Sequence, residues 1–175
     1  LDGSVSDRLT DSGSSEIQPS LSPDGRSIAF SSDNDGYWDI YKIDSDNMFP
    51  VNLTPDGSSY QVRGKPTWSP DGSKIAYWEY SNGSADIFIM ENDGSSKKNL
   101  TSSIWGDFNP VWNGDGVNII FESDRDGNSG LYSIDIYSLT VNRITEQIGF
   151  MGSADVSPNG QYILFESDMD EVGRD

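Results

Sequence analysis

Carboxylates are the side chains best able to do chemistry in this sequence. The 175 residues include 29 Asp and Glu, but no His and no Cys. Without those two residue types the chain cannot build a Ser-His-Asp triad, a cysteine nucleophile or a zinc-thiolate site from its own side chains. Paired carboxylates can hydrolyse glycosidic bonds, but no spacing singles out one such pair among the 29 acids. We therefore predict that this chain is not an enzyme by itself.

Calcium binding is a second use for the carboxylates. Asp33 and Asp35 alternate before a glycine, and Asp124 and Asp126 do the same in a later repeat. Oxygen ligands at alternate positions before a glycine are typical of the first half of a calcium loop. Calcium takes about six to eight oxygens, however, and no bidentate Glu follows in register. Asp residues that cap their own turns are the favoured interpretation, with calcium as the alternative. No other cofactor is predicted.

The net charge of the chain limits the classes of partner that it can bind. With 11 Lys and Arg against 29 acids, the net charge is −18. Nucleic acids and anionic membrane surfaces are bound through Lys and Arg, so neither is an expected partner. No apolar run is long enough to insert into a bilayer. The simplest role of the acids is solubility, and a protein or peptide is the expected partner.

One stretch recurs along the chain and indicates the fold. Residues 66–77 contain a short strand, a tight Pro-Asp-Gly turn and a second, apolar strand. Copies of the turn, at residues 22–25, 69–72, 113–116 and 157–160, follow one another at intervals of 47, 44 and 44 residues. A Leu-Thr or Ile-Thr pair ends each complete repeat with similar spacing. A period of about 45 residues with four short strands is typical of a β-propeller blade.

The repeat predicts an all-β propeller with about four four-stranded antiparallel blades, the last of them incomplete. The repeats span residues 11–54, 55–101, 102–145 and, in part, 146–175, and residues 1–10 are expected to form the outer strand of a preceding or closing blade. The chain is then either a segment of a larger propeller or a propeller completed by a partner chain. Self-association through open blade edges is a further expectation.

The repeat resembles that of TolB-like β-propellers. The resemblance is carried by Pro-Thr-Trp-Ser-Pro-Asp-Gly at residues 66–72, by Asp-Ile-Phe at 86–88 and by Leu-Thr at 100–101, with related copies along the chain. It implies a non-catalytic module that binds a protein or peptide, in the periplasm or outside the cell of a bacterium or archaeon. Two alternatives stay open. One is the substrate-gating propeller of a prolyl-oligopeptidase-type peptidase, and the other is a surface propeller that binds calcium or carbohydrate.

Candidate partner-binding residues lie around the loops that lead into the inner strands. Loops on a rigid scaffold commonly carry binding residues, and aromatic side chains mixed with a few charges suit a protein or peptide partner. In the aligned repeats these loops supply Glu16, Tyr60, Arg63, Trp105, Asp107, Phe108 and Phe150. The alternative is that their aromatic side chains fold back over the blade cores.

Overall fold

The computed structural model describes residues 8–11, 13–56, 61–145 and 151–167, without the side chains of residues 151–153. Within these ranges there are 14 strands, which form three four-stranded sheets and one two-stranded sheet. No helix in the described part is long and apolar enough to cross a membrane. The predicted all-β architecture of antiparallel four-stranded blades is confirmed, and the described part of the last blade contains two strands.

Each sheet is built from strands that pair in sequence order. The first blade contains β1 (Glu16–Leu21), β2 (Ser27–Ser32), β3 (Asp39–Asp44) and β4 (Asn47–Asn52). The second contains β5 (Val62–Trp68), β6 (Lys74–Ser81), β7 (Ser84–Glu91) and β8 (Lys98–Asn99). The third contains β9 (Asp107–Trp112), β10 (Asn118–Ser123), β11 (Gly130–Asp135) and β12 (Val141–Arg143). The described part of the fourth contains β13 (Met151–Val156) and β14 (Ile163–Ser167).

The outer strand expected at residues 1–10 is not seen in the part that the structure describes. Residues 8–10 are not in a strand, and residues 1–7 lie outside the described ranges. An outer strand pairs with the third strand of its own blade, as β4 does with β3, and no described strand lies beside residues 8–10 in this way. Leu9 instead lines a cavity on the open side of the first blade, together with Phe30 and Ile43.

The recurrent turns share one hydrogen-bonded design. Ser69 Oγ donates to Asp71 Oδ1 at 2.6 Å, and the backbone N–H two residues after Asp71 donates to the same oxygen at 3.0 Å. Asp24 accepts the equivalent bonds in the first turn, at 2.6 and 3.1 Å. In the fourth turn Asn159 accepts them with its amide oxygen. Gly72 then takes a φ of 71°, which glycine adopts at little cost. These local bonds reverse the chain between the inner and second strands.

Adjacent blades pack through apolar faces, and a tryptophan at the end of the inner strand lies at the contact. Trp68 Nε1 donates to the carbonyl of Ser20 at 3.0 Å, and Trp112 Nε1 donates to that of Thr67 at 3.2 Å. Second and third strands of both blades surround these rings. Between the first two blades the buried cluster contains Ala29, Ile40, Leu53, Trp68, Ile75, Tyr77 and Met90. Each blade is therefore stabilised by its neighbours as well as by its own ladder.

The inner strands border a central channel and carry strained backbone. Gln18, Lys65 and Asn109 have φ values of 54°, 48° and 52°, a left-handed region that residues other than glycine seldom adopt. All three line a cavity of about 670 Å³. Gln18 Oε1 accepts a hydrogen bond from the Lys65 backbone N–H at 2.7 Å. This bond links the inner strands of the first two blades at the point where both are bulged.

The core of the second blade contains a polar atom without a partner. Tyr77 is fully buried and occupies the repeat position of Phe30, Phe121 and Phe165. Among the buried side-chain nitrogen and oxygen atoms that the structure describes, Tyr77 Oη is the one that makes no hydrogen bond. Burial, together with the nearby carboxylate of Glu79, raises the pKa of Tyr77, so this hydroxyl stays neutral.

We expect Tyr77→Phe to raise the free energy of unfolding by up to about 1 kcal/mol, because it removes a buried hydroxyl that makes no bond. The matched control is Tyr132→Phe. Tyr132 Oη donates to Asp126 at 2.7 Å, so its removal should cost about 1 kcal/mol. Urea unfolding measures both changes. A loss of stability in Tyr77→Phe as large as in the control would contradict the assignment of an unpaired hydroxyl.

Because of the turn carboxylates, we expect the folded chain to lose stability in acid. Hydrogen bonds from Ser69 and from the Ser73 backbone lower the pKa of Asp71 from its usual 3.8 to about 2. A carboxylate whose pKa is lower in the folded state than in the unfolded state stabilises the fold at any pH above its unfolded-state pKa. This contribution disappears as the pH falls through its folded-state pKa. We expect Asp71→Asn, which copies Asn159, to flatten the decline in stability between about pH 4 and about pH 2. Urea unfolding at several pH values measures it, and an unchanged slope would contradict the assignment.

Candidate functional site

The loops into the inner strands lie at the same end of the blades as the hairpins between second and third strands. Antiparallel pairing places Val62, at the start of β5, opposite Tyr80, near the end of β6. Ser81 then pairs with Ser84 across the hairpin. We call this end of the blades the entry face. The described residues predicted to bind a partner or calcium lie at this end, whereas Tyr60 and Phe150 fall outside the described residues.

Two of the hairpin acids tie the incoming loop to its own blade. Asp33 Oδ1 accepts a hydrogen bond from the Ser15 backbone N–H at 2.8 Å. Asp124 Oδ1 accepts one from the Gly106 backbone N–H at 2.9 Å. The first and third repeats therefore use an Asp at the same position to hold the entry loop.

The other two hairpin acids bind side chains of the third and outer strands. Asp126 Oδ2 accepts hydrogen bonds from Tyr132 Oη at 2.7 Å and from an Arg143 guanidinium nitrogen at 2.8 Å. The Tyr132 hydroxyl, with the charge of Arg143, lowers the pKa of Asp126. Asp35 occupies the same position in the first repeat, and its Oδ2 accepts from Asn52 Nδ2 at 2.9 Å.

Hydrogen bonds within the chain thus engage all four acids considered for calcium. In the described part of the chain, no group of three or more acidic side chains is placed to hold a metal ion. The contacts of Asp33, Asp35, Asp124 and Asp126 are those of residues that stabilise turns and loops. Calcium binding at these positions stays a prediction.

Arg63 forms a buried ionic contact between the first two blades. Its guanidinium donates to Asp39 Oδ1 at 2.6 Å, to Glu79 Oε2 at 2.6 Å and to the Thr54 carbonyl at 3.0 Å. The residue is only 3% exposed. Burial opposes the charge, but the carboxylates of Glu79 and Asp39 outweigh it and hold the pKa of Arg63 above its usual value. Arg63 therefore lies beneath the entry face and positions its loop.

Asp107 and Glu16, at the same repeat position as Arg63, are also engaged within the chain. Asp107 is fully buried and both of its oxygens accept from Arg125, at 2.9 and 3.0 Å. The Arg125 guanidinium in turn lies over the Phe121 ring, 5.1 Å from its centroid. Glu16 accepts from Thr10 Oγ1 at 3.0 Å. Glu16, Arg63 and Asp107 occupy the same position of the aligned repeats, but each side chain makes different contacts within the chain.

At the entry face the second and third blades expose apolar side chains, beside polar hairpin residues such as Asn82. The apolar residues are large side chains that are all partly or largely exposed: Val62, Tyr80, Ile104, Trp105 and Phe108. The Phe108 ring packs edge-on against Trp78, with 5.5 Å between centroids. Trp78 can lie there because Gly64 has no side chain, since a Cβ would come within 2.7 Å of the indole. We call these five residues the entry patch.

The sequence pointed to Trp105 and Phe108 by name and to Val62 and Ile104 only through the loops that contain them, and it gave no prediction for Tyr80. One signal was available. Tyr80 occupies the repeat position of Asp33 and Asp124, where the other hairpins carry a loop-capping acid. An aromatic residue that replaces a structural acid indicates that the second hairpin has a different role. Ile104, which is 85% exposed, has no comparable signal.

We expect Arg63→Met to lower the free energy of unfolding by about 3–5 kcal/mol, because Asp39 and Glu79 would stay buried without their counter-charge. The control is Lys97→Met. Lys97 pairs with Asp56 at 2.8 Å at the surface, where an ion pair contributes less than about 1 kcal/mol. Urea unfolding at neutral pH compares the two variants, and similar small losses would contradict the structural role of Arg63.

Comparison with known proteins supports the TolB resemblance. The family model described as TolB beta propeller domain matches residues 54–173, which is more than half of the chain. A search of curated proteins found no match. TolB from Acinetobacter baumannii has a similar structure, with a TM-score of 0.79 at 25% identity, covering 94% of this chain and 40% of that chain. A putative TolB from Agrobacterium tumefaciens gives 0.72 at 23% identity, covering 93% and 61%.

An enzyme is also among the similar structures. Oligogalacturonate lyase from Vibrio parahaemolyticus has a TM-score of 0.70 at 17% identity, covering 94% of this chain and 50% of that chain. Such low identity shows a shared fold and carries no activity with it. The chain spans less than two thirds of the length of each of these three structures. The repeat, the blade topology and the family match together show that the chain belongs to the TolB beta-propeller family.

Proposed function

We propose that this chain is a non-catalytic propeller segment that binds a protein or peptide through its entry face. The observation that carries the proposal is the entry patch. Large apolar side chains of two blades and their connecting loop are exposed at one end of the structure. An exposed apolar patch of this kind is typical of an interaction surface.

The residue types of the patch suit a protein partner. Trp and Tyr are over-represented among residues that dominate binding energy, because they bury a large area and lose little conformational entropy. Phe108 is held by its edge-on contact with Trp78. The Trp105 backbone N–H is bonded to Ser103 Oγ at 3.2 Å. A patch supported in this way is preorganised, which lowers the entropic cost of binding.

The net charge of the chain further limits the chemical character of the proposed partner. With a net charge of −18, the surface repels other strongly acidic molecules at low ionic strength. Arg63 and Asp107 are buried under the entry face, so direct contact with the partner falls to the apolar patch. We therefore propose a partner segment that presents apolar side chains and is neutral or basic.

The proposal includes an envelope location and a role without catalysis. Both follow from the resemblance to TolB-like proteins, and the lack of His and Cys is consistent with the second. Asp33 and Asp124, in the hairpins at the entry face, accept hydrogen bonds from the backbone of the loops. Because these acids have a structural role, binding is the function that the geometry supports best.

Selection from a random displayed peptide library on the immobilised chain tests the proposal. Selected peptides should carry apolar side chains and should bind Trp105→Ala at least tenfold more weakly, because loss of a central aromatic residue typically costs about 2 kcal/mol. The control is Tyr137→Ala, since Tyr137 is 74% exposed in a turn at the opposite end of the blades. Calorimetric titration measures each affinity.

Equal binding to Trp105→Ala and the natural chain would contradict the proposed site. Loss of binding in Tyr137→Ala would instead place the contact at the other end of the blades. Circular dichroism should show unchanged strand content in both variants, because Trp105 lies in a loop outside the strands and Tyr137 is largely exposed.

A further inference from the structure

The third blade holds a guanidinium group against two aromatic rings. The Arg125 guanidinium lies over the rings of Phe121 and Tyr132, 5.1 and 4.9 Å from their centroids. Arg125 Nη2 donates to both oxygens of Asp107, at 2.9 and 3.0 Å, and Arg125 Nε donates to Ser123 Oγ at 3.0 Å. Cation–π attraction and charge-assisted hydrogen bonds thus act on the same planar cation.

The first blade repeats this site without the arginine. In the aligned repeats, and with no gap between them, its aromatic pair is Phe30 and Tyr41. Their ring centroids are 5.9 Å apart, against 6.0 Å for the pair in the third blade. Glu16 stands at the position of the carboxylate and Ser32 at that of the serine. The hairpin residue in the place of the arginine is Asn34, which is shorter and uncharged.

The same five positions of the first blade border one cavity of about 410 Å³, which we call the first-blade pocket. The members that have a counterpart in the guanidinium site are Glu16, Phe30, Ser32, Asn34 and Tyr41. The volume lies within the range of about 300–1,000 Å³ that is usual for ligand pockets. In the third blade, the corresponding space contains the side chain of Arg125.

The charges around the first-blade pocket favour a cation. Glu16 and Asp11 both line it, and no Lys or Arg is among the described residues that do so. Thr10 Oγ1 donates to Glu16 Oε2 at 3.0 Å, and Ser14 Oγ donates to Glu16 Oε1 at 2.7 Å. These bonds hold the carboxylate in place before a ligand arrives, which lowers the entropic cost of binding.

The second blade also carries a guanidinium beside its aromatic pair. Arg63 Nε donates to Glu79 Oε2 at 2.6 Å, and Glu79 occupies the repeat position of Ser32. The charge of Arg63 also acts on the nearby Tyr77 hydroxyl. Two blades therefore supply their own arginine at this place, by different routes, whereas the first-blade pocket has none among the described residues that line it.

We propose that the first-blade pocket binds the guanidinium group of an arginine side chain from a partner polypeptide. The group stacks on Phe30 and Tyr41 and donates hydrogen bonds to Glu16, in the manner of Arg125. A lysine ammonium suits the pocket less well, because it lacks the planar face and the paired donors of a guanidinium. Asn34 is exposed in its hairpin, so the pocket is approached from the entry face. It lies on the first blade and is separate from the entry patch.

Titration of the isotope-labelled chain with N-acetyl-arginine amide, followed by NMR, tests the proposal. We expect saturable shifts of the backbone signals of Ser32 and Asn34. N-acetyl-lysine amide has the same charge without the planar group and should bind about fivefold more weakly or worse.

Asn34→Arg is the decisive variant, because it supplies the guanidinium from within the chain and copies the third blade. We expect N-acetyl-arginine amide to bind this variant about tenfold more weakly or worse, since the cation–π and carboxylate contacts are already occupied. The urea midpoint of unfolding should rise. Ser81→Arg is the matched control at the same hairpin position of the second blade, where Arg63 is already present, and it should leave the affinity of the probe unchanged.

The proposal is overturned if the arginine amide binds no more tightly than the lysine amide. Equal binding of the arginine amide to Asn34→Arg and to the natural chain also overturns it. Shifts confined to Trp105 and Phe108 have the same consequence, because the probe then binds the entry patch. None of these measurements depends on the peptide selection that tests the entry patch, so the two proposals fail separately.

Discussion

Packing of each apolar sheet face against the next blade is the interaction on which the rest of this structure depends. The second and third strands are apolar on both faces, so a single blade cannot bury them alone. Full burial of one such side chain contributes about 1.5–3 kcal/mol, and the contact between the second and third blades buries ten apolar residues in one cluster. Blades are therefore stable only as members of a stack, as expected for a repeat protein.

The acids that dominate the composition are largely used to shape the blades. Asp71 and its counterparts accept backbone hydrogen bonds in the recurrent turns. Asp33 and Asp124 hold the entry loops, and Asp39 and Glu79 neutralise the buried Arg63. These structural roles explain why carboxylates recur at regular positions in the repeats. The same regular spacing resembles a metal-binding pattern in the sequence.

Function is best sought where the repeats differ. Tyr80 replaces the loop-capping Asp of the neighbouring hairpins, and the loop before β9 carries Ile104 and Trp105. These departures are costly in water, because they expose apolar area without a stabilising role. They lie together at one end of two adjacent blades, on a scaffold that the turns and the blade contacts hold rigid. The entry patch consequently departs from the repeat pattern, which the contacts between blades follow.

The sequence by itself determined the period, the strands, the turns and the family, because these depend on local hydrogen bonds and on side-chain patterns within a single repeat. Pro-Asp-Gly turns and apolar second strands carry that information in a few adjacent residues. The sequence also indicated which loops share one end of the blades. Only the tertiary structure decided which side chains of those loops are accessible. Arg63 is buried because Asp39, 24 residues away, approaches it from the neighbouring blade. Trp78 and Phe108 come into contact only when two blades pack, because contacts between repeats are set by the stacking geometry and not by local sequence.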